Sequence, residues 1–147
     1  MSVKKAHNDA RIAVVAFTDA ERPRWLRIFA KGFRHCFALV CSSGRWVVIN
    51  PMSHWTDVVV LTESADGATA DEMVRTLEER GFAAVACAVA EPARRASLPS
   101  PFTCVEVVKR ILGIQKPLVL TPRQLFRFIE HSHSKMKIIL DKGNNPC

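Results

Sequence analysis

The run Phe33-Arg34-His35-Cys36-Phe37-Ala38-Leu39-Val40-Cys41, the bridge Ser42-Ser43-Gly44 and the run Arg45-Trp46-Val47-Val48-Ile49-Asn50 decide the fold. Two segments rich in β-branched and aromatic residues, joined by a short Ser/Gly turn, read as an antiparallel hairpin. His35 stands between Phe33 and Phe37 on its own face, and a polar ring in so apolar a strand needs a partner or a task. Two registers compete. With Ser42-Ser43 as the turn, Cys41 pairs with Gly44, Val40 with Arg45, and His35 faces Asn50, a side-chain amide able to orient the ring. With Ser43-Gly44 as the turn, the residue opposite His35 is Met52. The first register is carried forward as the expectation.

Outward from the hairpin, Arg11–Phe17 reads as a buried strand, followed by a turn over Asp19–Arg24. Trp25–Ala30 fits either a strand or a helical turn. Asp57–Thr62 is a further apolar strand. Thr69-Ala70-Asp71-Glu72 has the Thr-x-x-Glu spacing of a capping box, and Gly81 ends the helix it opens. Phe82–Ala90 has a strand-like pattern, and Glu91–Pro101 is a Pro- and Arg-bearing connection. Thr121-Pro122-Arg123-Gln124 is another capping box, with Pro122 at the favoured first helical position. Met136–Leu140 is read as a final edge strand. The class is α+β, a largely antiparallel sheet flanked by helices.

Downstream, Ser100-Pro101-Phe102-Thr103-Cys104-Val105-Glu106-Val107-Val108-Lys109-Arg110-Ile111-Leu112-Gly113 marks a helix at both ends. Thr103 and Glu106 form a third capping box, Val105, Val108 and Leu112 recur at helical spacing, and Gly113 supplies the stop. Cys104 is then the first helical residue. There the unpaired amides and the positive end of the helix dipole favour a thiolate. A cysteine in this place is either a nucleophile or a small core residue, and position alone does not choose between them.

The remaining composition narrows the classes. The chain has 147 residues, 48% hydrophobic and 24% charged, which suits one globular domain over 1–147. Residues 62–99 read as an embellishment and 142–147 as a loose tail. No apolar run reaches the roughly 20 residues of a membrane span, and Met1–Ala10 lacks the apolar stretch of a signal peptide. Cytoplasmic synthesis is therefore expected. Five cysteines without a Cys-x-x-Cys pair suggest neither a metal site nor a disulfide framework, so reduced thiols and no cofactor are expected. Of the other histidines, His7 lies near the start, His54 in a turn, and His131 and His133 toward the end of the Thr121 helix, where a cation suits the dipole. The net charge of +7 is spread along the chain with no groove-reading motif, so nucleic-acid binding ranks last.

A histidine in the first strand of a hairpin, in Gly32-Phe33-Arg34-His35-Cys36-Phe37-Ala38-Leu39-Val40, followed far downstream by Phe102-Thr103-Cys104-Val105-Glu106-Val107-Val108 opening a helix, resembles the circularly permuted NlpC-like cysteine peptidases. These are papain-fold proteins in which His precedes Cys. The resemblance covers roughly residues 32–114. It implies an antiparallel sheet packed on the nucleophile helix, with Cys104 as nucleophile, His35 as general base and Asn50 as the orienting residue. It also implies hydrolysis of peptide or other amide bonds, peptidoglycan peptides among them. The chain departs from the family in having Val105 after the cysteine and no evident oxyanion donor upstream.

Small basic papain-like chains also resemble products of bacteriophage structural gene clusters. That implies an alternative, a virion component of the tail or head–tail junction whose partners are other virion proteins and whose Cys–His pair is silent. Trp25, Trp46 and Trp55 would serve such an interface or the core.

Overall fold

The computed structural model describes residues 11–19, 30–52, 54–61, 67–90 and 102–140, with side chains through 132. Strands β1 (Ile12–Thr18), β2 (His35–Ser42), β3 (Arg45–Pro51) and β4 (Thr56–Val60) precede helix α1 (Ala70–Glu79). Strand β5 (Ala83–Ala88) and helices α2 (Cys104–Leu112) and α3 (Pro122–Leu140) follow. The five strands form one sheet in the order β4-β3-β2-β1-β5, with every neighbouring pair antiparallel. The protein is thus α+β. Segment 62–99 contributes α1 and β5, and β5 hydrogen-bonds directly to β1.

Because β1 lies inside the sheet between β2 and β5 and helices cover both sides, its apolar run is continuous instead of alternating. Ala13, Val15 and Phe17 join Cys36, Ala38 and Cys87 in a core closed by Val105, Val108 and Leu112 of α2 and Leu125 and Ile129 of α3. Val14 and Ala16 point the other way, into a second core with Leu39, Trp46, Ala86 and the α1 residues Met73 and Leu77. Trp46 is fully buried and its Nε1 donates to the Ala68 carbonyl at 2.9 Å, so this tryptophan is core. Trp55 is 57% exposed, and Trp25 lies outside the described residues.

The hairpin takes the other of the two registers. Ser42 pairs with Arg45, Cys41 with Trp46 and Val40 with Val47, so Ser43-Gly44 is the turn. Both turn residues have positive φ, 54° at Ser43 and 78° at Gly44. Positive φ at both central positions is the type I′ geometry whose twist matches the flanking strands, and it requires glycine where the Ser42-Ser43 alternative offers none.

Met136–Leu140 is not an edge strand, because α3 continues as a helix through Leu140. Lys135-Met136-Lys137-Ile138-Ile139-Leu140 contains no proline or glycine to stop it, and an established helix extends at one hydrogen bond per residue. Of the three capping boxes, Thr69/Glu72 and Thr121/Gln124 are reciprocal. Thr103 caps the Glu106 amide at 3.2 Å, but the Glu106 carboxylate turns away to Lys109 at 2.9 Å and Arg110 at 3.1 Å. Cys36, Cys87 and Cys104 are free thiols. Cys41 is disulfide-bonded, against the expectation that every thiol is reduced. The readings of Trp25–Ala30, Glu91–Pro101 and 142–147 fall outside the described residues.

Candidate active site

The first residue of β2 and the first residue of α2 meet. Thr18 pairs with His35 along the strand and its hydroxyl donates to the Asp19 carbonyl, so the strand fixes the backbone while the imidazole stays available to its neighbours. The His35 Nε2 lies 2.6 Å from Asn50 Oδ1, with the ring N–H donating to the amide oxygen. In the register adopted, Asn50 is not directly opposite His35 but two residues along β3, on the same face of the sheet. A diagonal pair of this kind is within reach of two long polar side chains. The bond uses Nε2 and leaves Nδ1 as the nitrogen able to exchange a proton with the third residue.

That residue is Cys104. Helix α2 packs its Val105, Val108 and Leu112 on the sheet face lined by Cys36 and Ala38, and Cys104 sits against the same cluster, half-buried. Its sulfur takes hydrogen bonds from the Cys36 thiol, the His35 ring and the Cys36 backbone amide. These donors, with the Cys36 thiol foremost and the His35 charge adding to them, outweigh burial and bring the thiol down to about 4. At His35, burial opposes the cation, yet the hydrogen bonds to Cys104 and Asn50 and the thiolate charge prevail and raise its pKa above 6.5. The two shifts describe one object, a thiolate–imidazolium pair oriented by an amide.

The helix end adds a further element. Thr103 Oγ1 takes one of the four orphan amides at the start of α2, Glu106 N, and its carbonyl takes the first bond of the helix ladder, from Val107 N. The Cys104 and Val105 amides precede them and have no partner within the helix. They lie beside the nucleophilic sulfur, where negative charge on a reacting carbonyl oxygen would develop.

Cys36 is a core residue and belongs to this site as well. It is fully buried, and its thiol is pushed well above 9.0 chiefly by its hydrogen bond to Cys104. Its position next to His35 was the only local signal, since the contact with Cys104 joins residues 68 positions apart through the packing of α2 on β2. His54 and His131 are exposed and stand apart from these residues, while His7 and the His133 side chain are outside the described residues. Among the described residues no three metal-ligating side chains come together, and no helix is long and apolar enough to cross a membrane. Comparison of the chain with protein-family models, with curated proteins and with solved structures gives no match in any of the three.

Proposed function

We propose that the protein is a cysteine hydrolase that cleaves amide or peptide bonds, with Cys104 as nucleophile, His35 as acid and base, and Asn50 as the residue that orients the imidazole. One observation carries this reading: a half-buried thiol at a helix N-terminus, hydrogen-bonded to a histidine whose far nitrogen is held 2.6 Å from an amide oxygen. A nucleophile, its base and a third group that orients the base are the components of covalent acyl transfer. The antiparallel sheet packed on α2, with histidine preceding cysteine in the chain, supports a papain-like architecture in permuted order and membership among the NlpC-like peptidases. Peptidoglycan peptides are the substrates that this kinship suggests.

In this mechanism the Cys104 thiolate attacks the carbonyl carbon, and the new oxyanion is held by the Cys104 and Val105 amides. His35 donates its Nδ1 proton to the leaving amine as the tetrahedral intermediate collapses to an acyl-thioester. The neutral ring then takes a proton from water, hydroxide attacks the thioester, and the thiolate leaves. Asn50 holds Nε2–H throughout, so the ring keeps Nδ1 toward the sulfur as its charge changes.

A second reading rests on the strand β4, where Val58, Val59 and Val60 are 64%, 53% and 50% exposed at the sheet edge. Such an apolar edge suits assembly into a larger particle, where the same fold would act as a virion scaffold. The pH dependence of iodoacetamide labelling, read at each cysteine by mass spectrometry in wild type and His35→Ala, separates the two. Fast labelling of Cys104 near pH 6 that slows without His35 supports the hydrolase. Labelling of Cys104 no faster than that of an exposed thiol removes it.

A further inference from the structure

We infer that Cys104 and Cys36 form a peroxide-reactive dithiol, in which oxidation of Cys104 is captured by Cys36 as a reversible disulfide. The inference shares with the hydrolase reading the ionised Cys104 and the His35 proton, and needs no acyl substrate. Two cysteines from distant parts of the chain share one side of the sheet, with Cys36 fully buried on β2 and Cys104 half-buried where α2 begins. Cys104 packs against the buried cluster that holds Cys36, and each thiol shifts the ionisation of the other, so the two are neighbours before any reaction. Their accessibilities differ in the sense that the chemistry needs. The outer thiol meets the oxidant, and the inner one is sheltered from it. In acyl transfer Cys36 acts only by favouring the Cys104 thiolate, and its own sulfur forms no bond.

The steps balance with hydrogen peroxide as the oxidant. The Cys104 thiolate attacks one peroxide oxygen, the S–O bond forms and the O–O bond breaks. Sulfur is oxidised to the sulfenic acid, and the departing hydroxide takes the His35 Nδ1 proton to become water. Cys36 then attacks the sulfenic sulfur, the S–S bond forms and the S–O bond breaks, and the second hydroxide leaves as water with the Cys36 proton. The first step also prepares the second. The hydrogen bond to Cys104 is the main reason the Cys36 thiol resists ionisation, ahead of burial, and oxidation to the sulfenic acid removes that thiolate acceptor. Without Cys36, the sulfenic acid would stay exposed to more peroxide and pass to the irreversible sulfinic acid.

The test treats purified full-length protein with equimolar and then excess hydrogen peroxide, and maps cysteines by mass spectrometry before and after dithiothreitol. In wild type, a peptide linked between Cys36 and Cys104 is expected, with fragment ions excluding Cys41, and dithiothreitol restores Cys104 labelling. In Cys36→Ala, Cys104 labelling is lost and not restored, and the peptide gains two oxygens. Sulfinic acid at Cys104 in wild type at equimolar peroxide, or equal recovery of labelling in wild type and Cys36→Ala, overturns the inference. Should Cys36→Ala fail to fold, the wild-type cross-link decides alone: its absence overturns the proposal. None of these readouts requires hydrolysis of any substrate, so failure of the hydrolase reading would be seen separately.

Discussion

His35 bonds Asn50 across a diagonal, not a rung: continued from the observed pairs, the register puts Met52 opposite His35, yet Nε2 reaches Asn50 Oδ1 at 2.6 Å. The diagonal fixes the ring by its side chain instead of by strand pairing, so the amide can be removed with the ladder intact. Asn50→Ala is expected to leave the fold in place and to lower the His35 pKa, because the Asn50 bond is one of the interactions that raise it. A hydrogen bond to a charged group is worth about 1.5–3 kcal/mol, which translates into a roughly tenfold or greater loss of the imidazolium-dependent rate. The histidine titration followed by NMR, together with Cys104 alkylation at pH 6, checks this. An unchanged His35 titration would show that the amide does not hold the ring.

The ion pair sets a pH window. Cys104 ionises at about 4, held down first by the Cys36 thiol, and His35 loses its proton only above 6.5. A hydrolysis profile in kcat/KM is therefore expected to rise through about pH 4 and to fall on the alkaline side of 6.5. Linkage gives the sign for stability. A thiol whose folded pKa lies below its usual 9.0 contributes stability that is full above 9 and disappears as pH falls to the folded value. A histidine with a raised pKa contributes in the opposite sense, fully below 6.5 and less as pH rises through its folded value. Denaturant midpoints of wild type and Cys104→Ser should accordingly converge as pH falls from 7 to 4. A constant gap over that range would mean that Cys104 is not ionised in the folded protein.

Much of this architecture was legible because it rests on local rules. Thr103, Thr69 and Thr121 announce their helices through cap chemistry, and Gly113 ends α2 in the left-handed conformation, φ 70°, that few other residues adopt. The hairpin was legible as a motif but not in register, because a one-residue change of turn alters no apolar residue count and only the positive φ at Ser43 and Gly44 decides it. His35 and Asn50 were paired under the wrong register, and they meet because the same face also offers the diagonal. The length of α3 was missed because Met136–Leu140 is apolar at either period and helix continuation overrode its strand-like composition. The contact of Cys36 with Cys104 was not legible, because a contact between a strand and a distant helix leaves no spacing in the sequence.

Trp46 separates stability from chemistry. It fills the α1 side of the sheet, fully buried, and donates to the Ala68 carbonyl at 2.9 Å, whereas the Cys104 cluster lies on the α2 side. Trp46→Ala is expected to destabilise by about 3–5 kcal/mol through lost burial and the cavity left behind. Trp46→Phe keeps most of the volume but leaves the carbonyl without its donor, which costs about 1–3 kcal/mol. Urea denaturation measures both, and the folded fraction of each variant should keep the wild-type rate of Cys104 labelling. A changed rate would mean that the two faces of the sheet are coupled.

Gly113 is constrained twice. Its φ of 70° is unfavourable for a side chain, and a Cβ there would stand 2.5 Å from the Ala90 carbonyl oxygen, whose own residue donates its amide to Leu112 O at 3.0 Å. Gly81 provides the comparison, since its φ is 85° but a Cβ would meet nothing within 4 Å. Gly81→Ala should therefore show the conformational penalty alone, about 1–2 kcal/mol. Gly113→Ala should add the displacement of backbone that ties α2 to the end of the β5 segment, and so lose clearly more in a urea titration. Because α2 carries Cys104 at its other end, nine residues away, the larger loss should be accompanied by slower Cys104 labelling at pH 6 in Gly113→Ala and not in Gly81→Ala. Equal destabilisation by the two substitutions would show that the Ala90 contact yields without strain and that α2 is held by its apolar face alone.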